Sequence, residues 1–389
     1  MKKFPLIWII ICYSFLNSNQ YCKAQSNSTK DYPSIEKNLP YNSENLFFTH
    51  NQSDSVSNKD TSITLGSPKF YTDSHLLVGA EIIDPLHPKK ALVTATRLWK
   101  TDIRVGISQM FKGGISTFLS LRDNDSPQTN NMNLYEAFMK INHDWGALWF
   151  GQRRIQGGDK SFYLNDAFDR SFWDQGLIYD FLMRGIGTKV NYGIGEGEIF
   201  LGADQYSYFV GGGKFGVQPI NGIIASASAL YTARDPQYSA FGYESGFELE
   251  ESFKHFFGYQ VIAYKYFDQD PYPIKEYTVF AEGRYFPDGK WNFGAAYFFK
   301  RVKDSYLQQD ELRMSLDIRY QASKVFTPVI QTELFRNAGF REIHLGVAAY
   351  LQYFKNIRII PRIRYIITQF GPNIGYIGFE GNFNFGKSE

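Results

Sequence analysis

The sequence contains very few cysteines. Cys12 and Cys22 are the two that it has, and both fall within residues 1–24. There Lys2 and Lys3 precede a short apolar core, a pattern typical of a secretory signal peptide. If residues 1–24 are removed, the mature chain has no disulfide, no thiol nucleophile and no thiolate metal site. Lipid attachment at Cys22 is a weaker alternative, because the residues before it lack the lipoprotein pattern.

The chain also lacks an excess of charge of either sign. It has 41 Lys and Arg against 39 Asp and Glu, and three of the lysines lie in the predicted signal peptide. A nearly neutral chain has no overall electrostatic preference, so any selectivity for anions or cations must come from local placement of charge. The sequence has no basic patch of the kind that would indicate nucleic-acid binding.

Long hydrophobic runs are absent after the signal peptide, where no stretch reaches the roughly 18 apolar residues that a membrane helix needs. Instead, apolar and polar residues alternate along many segments. Between Glu311 and Tyr320 every second residue is apolar and the others are polar or charged. Successive side chains on a strand point to opposite faces, so each segment has one apolar and one polar face. A soluble sandwich buries the apolar faces, whereas a membrane barrel turns them outward to lipid.

Repetition of this pattern predicts an all-β fold, a transmembrane antiparallel up-and-down β-barrel of about 16–18 strands. The 27 Tyr and 35 Phe suit strands and interfacial girdles. Residues 1–24 form the predicted signal peptide, 25–72 a flexible N-terminal segment rich in Ser, Asn, Asp and Lys, and 73–389 the barrel. A secreted, soluble all-β protein is the alternative. The predicted strands are 76–83, 91–99, 103–110, 114–122, 134–142, 147–152, 184–192, 198–203, 206–213, 220–232, 240–250, 257–267, 277–286, 291–300 and five more between 310 and 385.

The longest interruption of the pattern runs from Arg153 to Phe181 and mixes charged with aromatic residues. Long irregular segments inside a compact fold are usually functional. We therefore expect this loop to fold into the lumen and narrow it. Its charged candidates for a constriction are Arg153, Arg154, Asp159, Asp166, Asp169, Arg170 and Asp174.

The polar members of the alternating strands are expected to line the lumen. The basic candidates are Arg284, Arg313, Arg319, Arg358, Arg362 and Arg364, and the other charged ones are Glu136, Lys140, Glu282, Asp317 and Glu333. Three of the arginines, Arg358, Arg362 and Arg364, share one face of a single predicted strand and form a basic ladder. One interpretation is a field across the pore between arginines and loop acids, in which arginine forks hold a charged solute. The other is a set of interior ion pairs that only stabilise the wall and the loop.

Motifs for catalysis or metal binding are lacking. The chain has no Gly-x-Ser-x-Gly, no phosphate-binding glycine loop and no His-Glu-x-x-His. Among the histidines, His344 is the one at a predicted lumenal position. No nucleophile motif accompanies it, so a role as an ordinary polar residue of the wall is favoured over a catalytic role. The acid pairs Asp123/Asp125 and Asp268/Asp270 lack the spaced ligand set of a calcium site. We expect no cofactor and no metal.

Residues 145–154, Trp-Gly-Ala-Leu-Trp-Phe-Gly-Gln-Arg-Arg, resemble a strand of bacterial outer-membrane porins, in particular the group of phosphate-selective-type porins and alginate-export-type barrels. Residues 134–137, Leu-Tyr-Glu-Ala, resemble an earlier strand of that group. Asp-Gln-Gly at 174–176, followed by Arg184, resembles the end of its long loop. The resemblance in motif covers Leu134 to Val190, and elsewhere only the texture of the strands is similar.

This resemblance implies an outer-membrane channel through which small hydrophilic solutes, anions among them, diffuse passively. It also implies contact with outer-membrane lipid and, by the habit of porins, a homo-trimer. The order Gln152-Arg153 departs from the Arg-Gln of the group. A closed structural or secretion-accessory barrel is the alternative, which Phe280, Phe298 and Tyr350 at inward positions favour. A barrel enzyme is a weaker one.

Overall fold

The structure, a computed structural model, is a sheet of antiparallel strands. It describes residues 68–83, 85–86, 92–111, 113–124, 133–158, 177–220, 222–234, 236–251, 254–304, 306–354 and 356–385. The strands are β1 (Lys69–Ile83), β2 (Leu92–Phe111), β3 (Ile115–Asn124), β4 (Asn133–His143), β5 (Gly146–Gly157), β6 (Tyr179–Tyr192), β7 (Gly195–Asp204), β8 (Phe209–Ile220), β9 (Ile223–Thr232), β10 (Gln237–Glu251), β11 (Lys254–Asp268), β12 (Ile274–Phe286), β13 (Trp291–Lys303), β14 (Gln308–Tyr320), β15 (Phe326–Asn337), β16 (Phe340–Phe354), β17 (Ile357–Thr368) and β18 (Ile374–Phe385).

The sheet closes on itself. Each strand is hydrogen-bonded to the next in the chain, and β1 also pairs with β18, from Thr72 opposite Phe385 to Ile83 opposite Ile374. The predicted up-and-down barrel is thereby confirmed, with 18 strands in one sheet. Closure leaves no strand edge unpaired. A sheet in lipid needs such closure, because its backbone N–H and C=O groups find no water there.

No helix among these residues is both long enough and apolar enough to cross a membrane.

Several predicted boundaries differ from the structure. The segments predicted as 91–99 and 103–110 form one strand, β2, because no glycine or proline interrupts the chain between them. The strand predicted at 206–213 is β8, which begins at Phe209, since the carboxylate of Asp204 accepts hydrogen bonds from the backbone of Tyr206 and Tyr208 and holds a turn there. Gly222, with φ of 82°, forms the turn between β8 and β9. β9 therefore begins at Ile223, whereas the prediction placed its start at residue 220.

The alternating residues face the predicted sides of the wall. On β14 and β15 the outward side chains of Leu316 and Ile330 are 59% and 63% exposed, whereas the inward side chains of Asp317 and Gln331 are 2% and 5% exposed. A soluble sheet would bury the aliphatic residues and expose the carboxylate. The reversed arrangement favours a wall with lipid outside and polar groups inside.

Aromatic residues lie on the outer face near both ends of the strands. Near one end, Trp291 on β13 contacts Tyr320 on β14, with ring centroids 4.6 Å apart. Near the other end, Tyr264 on β11 contacts Tyr277 on β12, at 4.9 Å. The outward residues between these two levels are mainly aliphatic, such as Leu316. Two aromatic girdles around an aliphatic band are the outer surface expected of a membrane barrel.

The two ends of the barrel differ in their connections. The longest ones, 84–91, 125–132 and 158–178, all lie at one end, which we call the loop end. The opposite end, the turn end, has short turns and carries both Lys69 and Phe385, where the sheet starts and finishes. Outer-membrane barrels have short periplasmic turns and longer extracellular loops, so a barrel of that class would have its loop end at the cell exterior.

The predicted signal peptide and most of the predicted N-terminal segment lie outside the described residues, and so does the start of the chain up to residue 67. β1 begins at Lys69, four residues before the predicted start of the barrel at residue 73.

Candidate pore constriction

The hairpin of β5 and β6 extends beyond its neighbours in the barrel wall. β5 pairs with β4 only as far as Gln152, and β6 pairs with β7 only from Met183 onward. Residues 153–157 therefore pair only with β6, and residues 179–182 pair only with β5. We call residues 153–158 and 177–182 the crossing hairpin. The predicted long loop is correspondingly shorter, because strand structure continues through Arg153 and Arg154 and resumes at Tyr179.

The base of the crossing hairpin reaches the inner face of β10 and β11, several strands away. The backbone oxygen of Ile178 accepts a hydrogen bond of 3.3 Å from the hydroxyl of Tyr238. The Ile178 side chain fills the space in front of Gly242, where an added Cβ would lie 2.6 Å from its Cγ1. Val261 on β11 lies at the same place, beside Gly158. The described base of the predicted inward loop thus lies inside the barrel.

Beyond its first residue, one face of the crossing hairpin is apolar. Phe181 stacks on Tyr238 of β10 at 5.6 Å between ring centroids, and Tyr179 meets Phe200 of β7 edge-on at 6.0 Å. Ile155 on the partner strand is buried on the same side. Apolar packing of this kind excludes water between the hairpin and the wall of β7–β11.

The other face of the crossing hairpin is charged. Arg154 Nε donates to Asp180 Oδ1 at 2.6 Å, and Arg154 Nη2 also binds the second oxygen of that carboxylate. The backbone nitrogen of Arg154 donates to Glu136 Oε1 on β4 at 3.2 Å. Glu136 in turn forms an ion pair with Arg104 on β2. Arg154, Asp180, Glu136 and Arg104 are all partly accessible to solvent.

Tyr135 on β4 lies at the centre of this charged group. Its ring has the guanidinium carbon of Arg122 at 4.9 Å, that of Arg104 at 5.1 Å and that of Arg154 at 6.0 Å from its centroid. A register shift between β3 and β4 beside Tyr135 lets it and Glu136 share the inner side of the wall. We call Arg104, Arg122, Tyr135, Glu136, Arg154 and Asp180 the arginine–tyrosine cluster.

Arg153 points away from this cluster although it is the next residue in the chain. Its Nη1 lies 3.1 Å from Glu198 Oε1 on β7, and its guanidinium lies over Trp149 and Phe138. Because neighbouring residues of a strand face opposite sides, Arg153 joins the hairpin to the β7 wall and Arg154 faces the β2–β4 wall.

A second charged group is built into the inner face of β12–β14. Arg284 forms ion pairs with Glu282 on its own strand and with Asp317 on β14, and Asp317 also accepts from Arg319 Nε at 2.7 Å. Asn292 on β13 accepts from Arg284 at 2.8 Å. Arg284, Glu282 and Asp317 have fully buried side chains, so their charges depend on these partners.

The predicted basic ladder lies on β17, facing inward. Arg358 stacks over Tyr350 of β16, at 5.3 Å to the centroid. Arg362 Nη1 lies 3.5 Å from Glu380 Oε2 on β18. Arg364 binds the ring nitrogen Nδ1 of His344. These arginines thus have partners in the wall itself.

Arg313 on β14 belongs to a neighbouring group with His344. Arg313 Nε lies 2.8 Å from Glu311 Oε1, and the guanidinium stacks over Phe335. His344 Nε2 lies 2.7 Å from Glu342 Oε2. Its described neighbours are two carboxylates, an arginine and an aromatic ring, and no serine, threonine or cysteine side chain is among them.

The other predicted constriction residues, Asp159, Asp166, Asp169, Arg170 and Asp174, lie outside the described residues. Four members of the arginine–tyrosine cluster, Arg104, Arg122, Tyr135 and Asp180, were absent from the predicted lumen and constriction residues. Arg104 alternates with Ile103 and Val105, so its inward position was readable, but its proximity to Arg154 was not. Within the described ranges no group of three or more His, Cys, Asp or Glu side chains is arranged to hold a metal ion.

Comparison with known protein families and with curated proteins finds no match. Solved structures do match. Pseudomonas aeruginosa OpdQ aligns with a TM-score of 0.56 and 8% identity, over 84% of this chain and 100% of that one. Acinetobacter baumannii OccAB4 aligns with a TM-score of 0.54 and 8% identity, over 83% and 99% of the two chains. A loop-deletion mutant of OmpT, an outer membrane protein of Vibrio cholerae, gives 0.51 and 11% identity, over 82% and 99%.

The chain has the fold of a bacterial outer-membrane β-barrel. At these identities the similarity extends to the fold alone. The barrel's own charged groups must therefore carry any argument about what it does.

Proposed function

We propose that this barrel is an outer-membrane channel for passive diffusion of small hydrophilic solutes. The observation that carries the proposal is the crossing hairpin, whose apolar face packs against β7–β11 while its charged face points to β2–β4. A hairpin that merely plugged the barrel would gain stability from apolar contacts on both sides. The charged face instead favours a water-filled path on one side only.

In this proposal the arginine–tyrosine cluster forms the narrowest charged part of that path. Its described side chains are three guanidinium groups and two carboxylates, an excess of one positive charge in a chain that is nearly neutral. Charged groups at a constriction act over short range and select by sign. We therefore infer a moderate preference for anions, with Arg154 and Asp180 as the charged pair that the hairpin itself contributes.

The arginines of β12, β14 and β17 have a supporting role. Arg284, Arg319 and Arg362 are paired with carboxylates of the same wall, which favours the stabilising interpretation of the interior charges. The solute, the contact with outer-membrane lipid and a homo-trimer stay predictions of the sequence.

Single-channel recording of the refolded full chain in a planar bilayer, with reversal potentials in a salt gradient, tests the proposal. We expect discrete conductance with anion preference, a shift toward cations in Arg154→Ala and a shift toward anions in Asp180→Ala. Lys324→Gln, in an exposed turn at the turn end, is the matched control and is expected to keep the wild-type reversal potential. Folded barrels that never conduct would overturn the proposal.

A closed structural barrel is the second candidate. Phe280, Phe298 and Tyr350 are indeed buried on the inner face, and Tyr350 packs with Val329 and Ile360 in an interior apolar cluster. Bulky inward side chains favour a filled lumen. The same recording decides between the two, because a filled barrel carries no current in the wild type or in either variant.

A further inference from the structure

Basic residues form directly opposed pairs on the outer face at the loop end. Lys275 on β12 lies opposite Lys303 on β13, and Arg336 on β15 lies opposite Arg341 on β16. All four side chains are exposed. Like charges placed directly across two strands repel one another and destabilise the sheet. Two such pairs, separated by β14, therefore favour the binding of anionic groups beside them.

Each acidic side chain nearby has a closer partner than these four basic residues, although the charge of Arg336 still acts on Asp310. Asp310 is held by Arg301, with Nε to Oδ1 and Nη2 to Oδ2 both at 2.8 Å. Asp304 accepts from the backbone of its own loop, and Asp268 accepts from the hydroxyl of Tyr266. In the part of the chain that the structure describes, none of the four basic residues has a carboxylate within ion-pair distance.

The position of the pairs relative to the aliphatic band is informative. Lys275 follows the girdle residue Tyr277 toward the loop end, and Arg336 and Arg341 follow Leu334 and Ile343, which are exposed on the lipid-facing side. A basic side chain just beyond lipid-facing residues lies at the level of lipid headgroups.

The turn end of the same strands is different. There the outward residues include the aromatic side chains of Tyr285, Trp291, Phe293 and Phe326. In the described registers of β12–β16 no two basic residues oppose each other at that end. The basic pairs therefore belong to one side of the membrane, and the loop end is the side that faces the cell exterior.

We propose that the outer rim formed by Lys275, Lys303, Arg336 and Arg341 binds the phosphate groups of a phosphorylated glycolipid of the lipid A type in the outer leaflet. Lysine and arginine are the side chains that bind phosphate, and four of them beside an apolar surface match a headgroup with acyl chains attached. Arg301 and Asp310 lie between the two pairs in the strand order and hold that part of the rim in place. The inference depends on insertion in an outer membrane, not on conduction of solutes.

Native mass spectrometry of the refolded full chain in detergent, titrated with bisphosphorylated lipid A, tests this assignment. Each basic residue near an anionic surface contributes roughly 1 kcal/mol, so Lys275→Gln with Lys303→Gln should weaken binding about thirtyfold. Arg336→Gln with Arg341→Gln should weaken it by a similar factor. The matched control is Lys254→Gln with Lys290→Gln, two exposed lysines at the turn end, which should bind as the wild type does.

Two further ligands separate the sources of phosphate. Lipid A without its phosphates should bind at least a hundredfold more weakly to the wild type, and inorganic phosphate alone should bind more weakly still. Equal binding of the dephosphorylated lipid, or wild-type affinity in both double variants, would overturn the proposal. A heat-modifiable band on gels confirms that each variant is folded. Conductance is measured on the same preparations, so that a failure of the lipid-binding proposal is distinguished from a failure of the channel proposal.

Discussion

Arg284 on β12 and Asp317 on β14 form a two-point ion pair across the strand that separates them. Nη2 lies 2.7 Å from Oδ1 and Nη1 lies 3.2 Å from Oδ2. In the register, Arg284 is opposite Gly294 of β13, and Gly294 is opposite Asp317. A Cβ at Gly294 would lie 2.2 Å from Oδ1 and 2.7 Å from the guanidinium carbon. The missing side chain is what lets the arginine cross β13.

Gly294→Ala should therefore separate this ion pair. The displaced charges would remain buried without each other, and losing one partner of a buried pair costs about 3 kcal/mol. Urea titration of the folded barrel in detergent, followed by heat-modifiable migration, measures the loss. Gly283→Ala is the control, because the atoms nearest to its added Cβ are 3.9 Å away or more. Equal stability of the two variants would contradict the role given to Gly294.

The same network predicts that the stability changes of its variants are not additive. Asp317→Leu alone leaves Arg284 and Arg319 without their shared carboxylate and should destabilise the barrel by about 3–5 kcal/mol. Adding Arg284→Met, Arg319→Met and Glu282→Gln should recover much of that loss, because all four charges of the network are then removed. A fourfold variant that is less stable than the single one would show that the network contributes net stability.

The contact between the base of the crossing hairpin and β10 can be tested at Gly242. Gly242→Ala would place a Cβ 2.6 Å from Ile178 Cγ1, so the hairpin base must move off β10. We expect the single-channel current to flicker between levels, because the hairpin is then held less firmly at the constriction. The control is Gly246→Ala on the same face, where the nearest atoms are at 3.4 Å. A steady current of wild-type amplitude in Gly242→Ala would argue against a role for the Ile178–Gly242 contact in holding the hairpin.

Lipid exposure of the aliphatic band predicts a depth-dependent cost. Leu316→Arg places a charge outward near the middle of β14 and should cost about 2–4 kcal/mol, seen as slower and incomplete folding into lipid vesicles. Leu307→Arg, in the exposed connection between β13 and β14, should cost about 0–1 kcal/mol. Equal folding yields would be incompatible with a lipid-facing Leu316.

The connection between β13 and β14 predicts a response to acid. Hydrogen bonds from the backbone N–H groups of Leu307 and Tyr306 lower the pKa of Asp304 below its ordinary value of 3.8. A lowered pKa means that the ionised carboxylate stabilises the loop above that ordinary value, and that this stabilisation is lost as the pH falls through the folded pKa.

Hydrogen-exchange protection factors of the Tyr306 and Leu307 amides, measured from about pH 5 to about pH 2, test this response. We expect protection to fall in the wild type, while an amide within β13, such as that of Phe299, stays protected. Asp304→Asn keeps an acceptor oxygen but cannot titrate, so its protection should not change with pH. The same fall in Asp304→Asn would assign the response to another group.

The prediction from sequence was most successful where the physical signal is local. Alternation depends only on the geometry of a strand, so Leu316 and Asp317 could be assigned to opposite faces without knowing what either contacts. Boundaries were less predictable. The end of β5 was placed too early because Arg153 and Arg154 looked like loop residues, and only the pairing of β5 with β6 shows that the strand continues.

The sequence by itself determined the closed up-and-down wall, its polar interior and the inward arginines of β12, β14 and β17, because period-two alternation is a property of the chain. Only the tertiary structure decided which carboxylate each arginine meets, and that the crossing hairpin packs against β10. Those contacts join residues far apart in the chain, such as Arg104 with Glu136 and Ile178 with Gly242. They depend on strand register and on the space beside particular glycines, and neither is encoded in a local pattern.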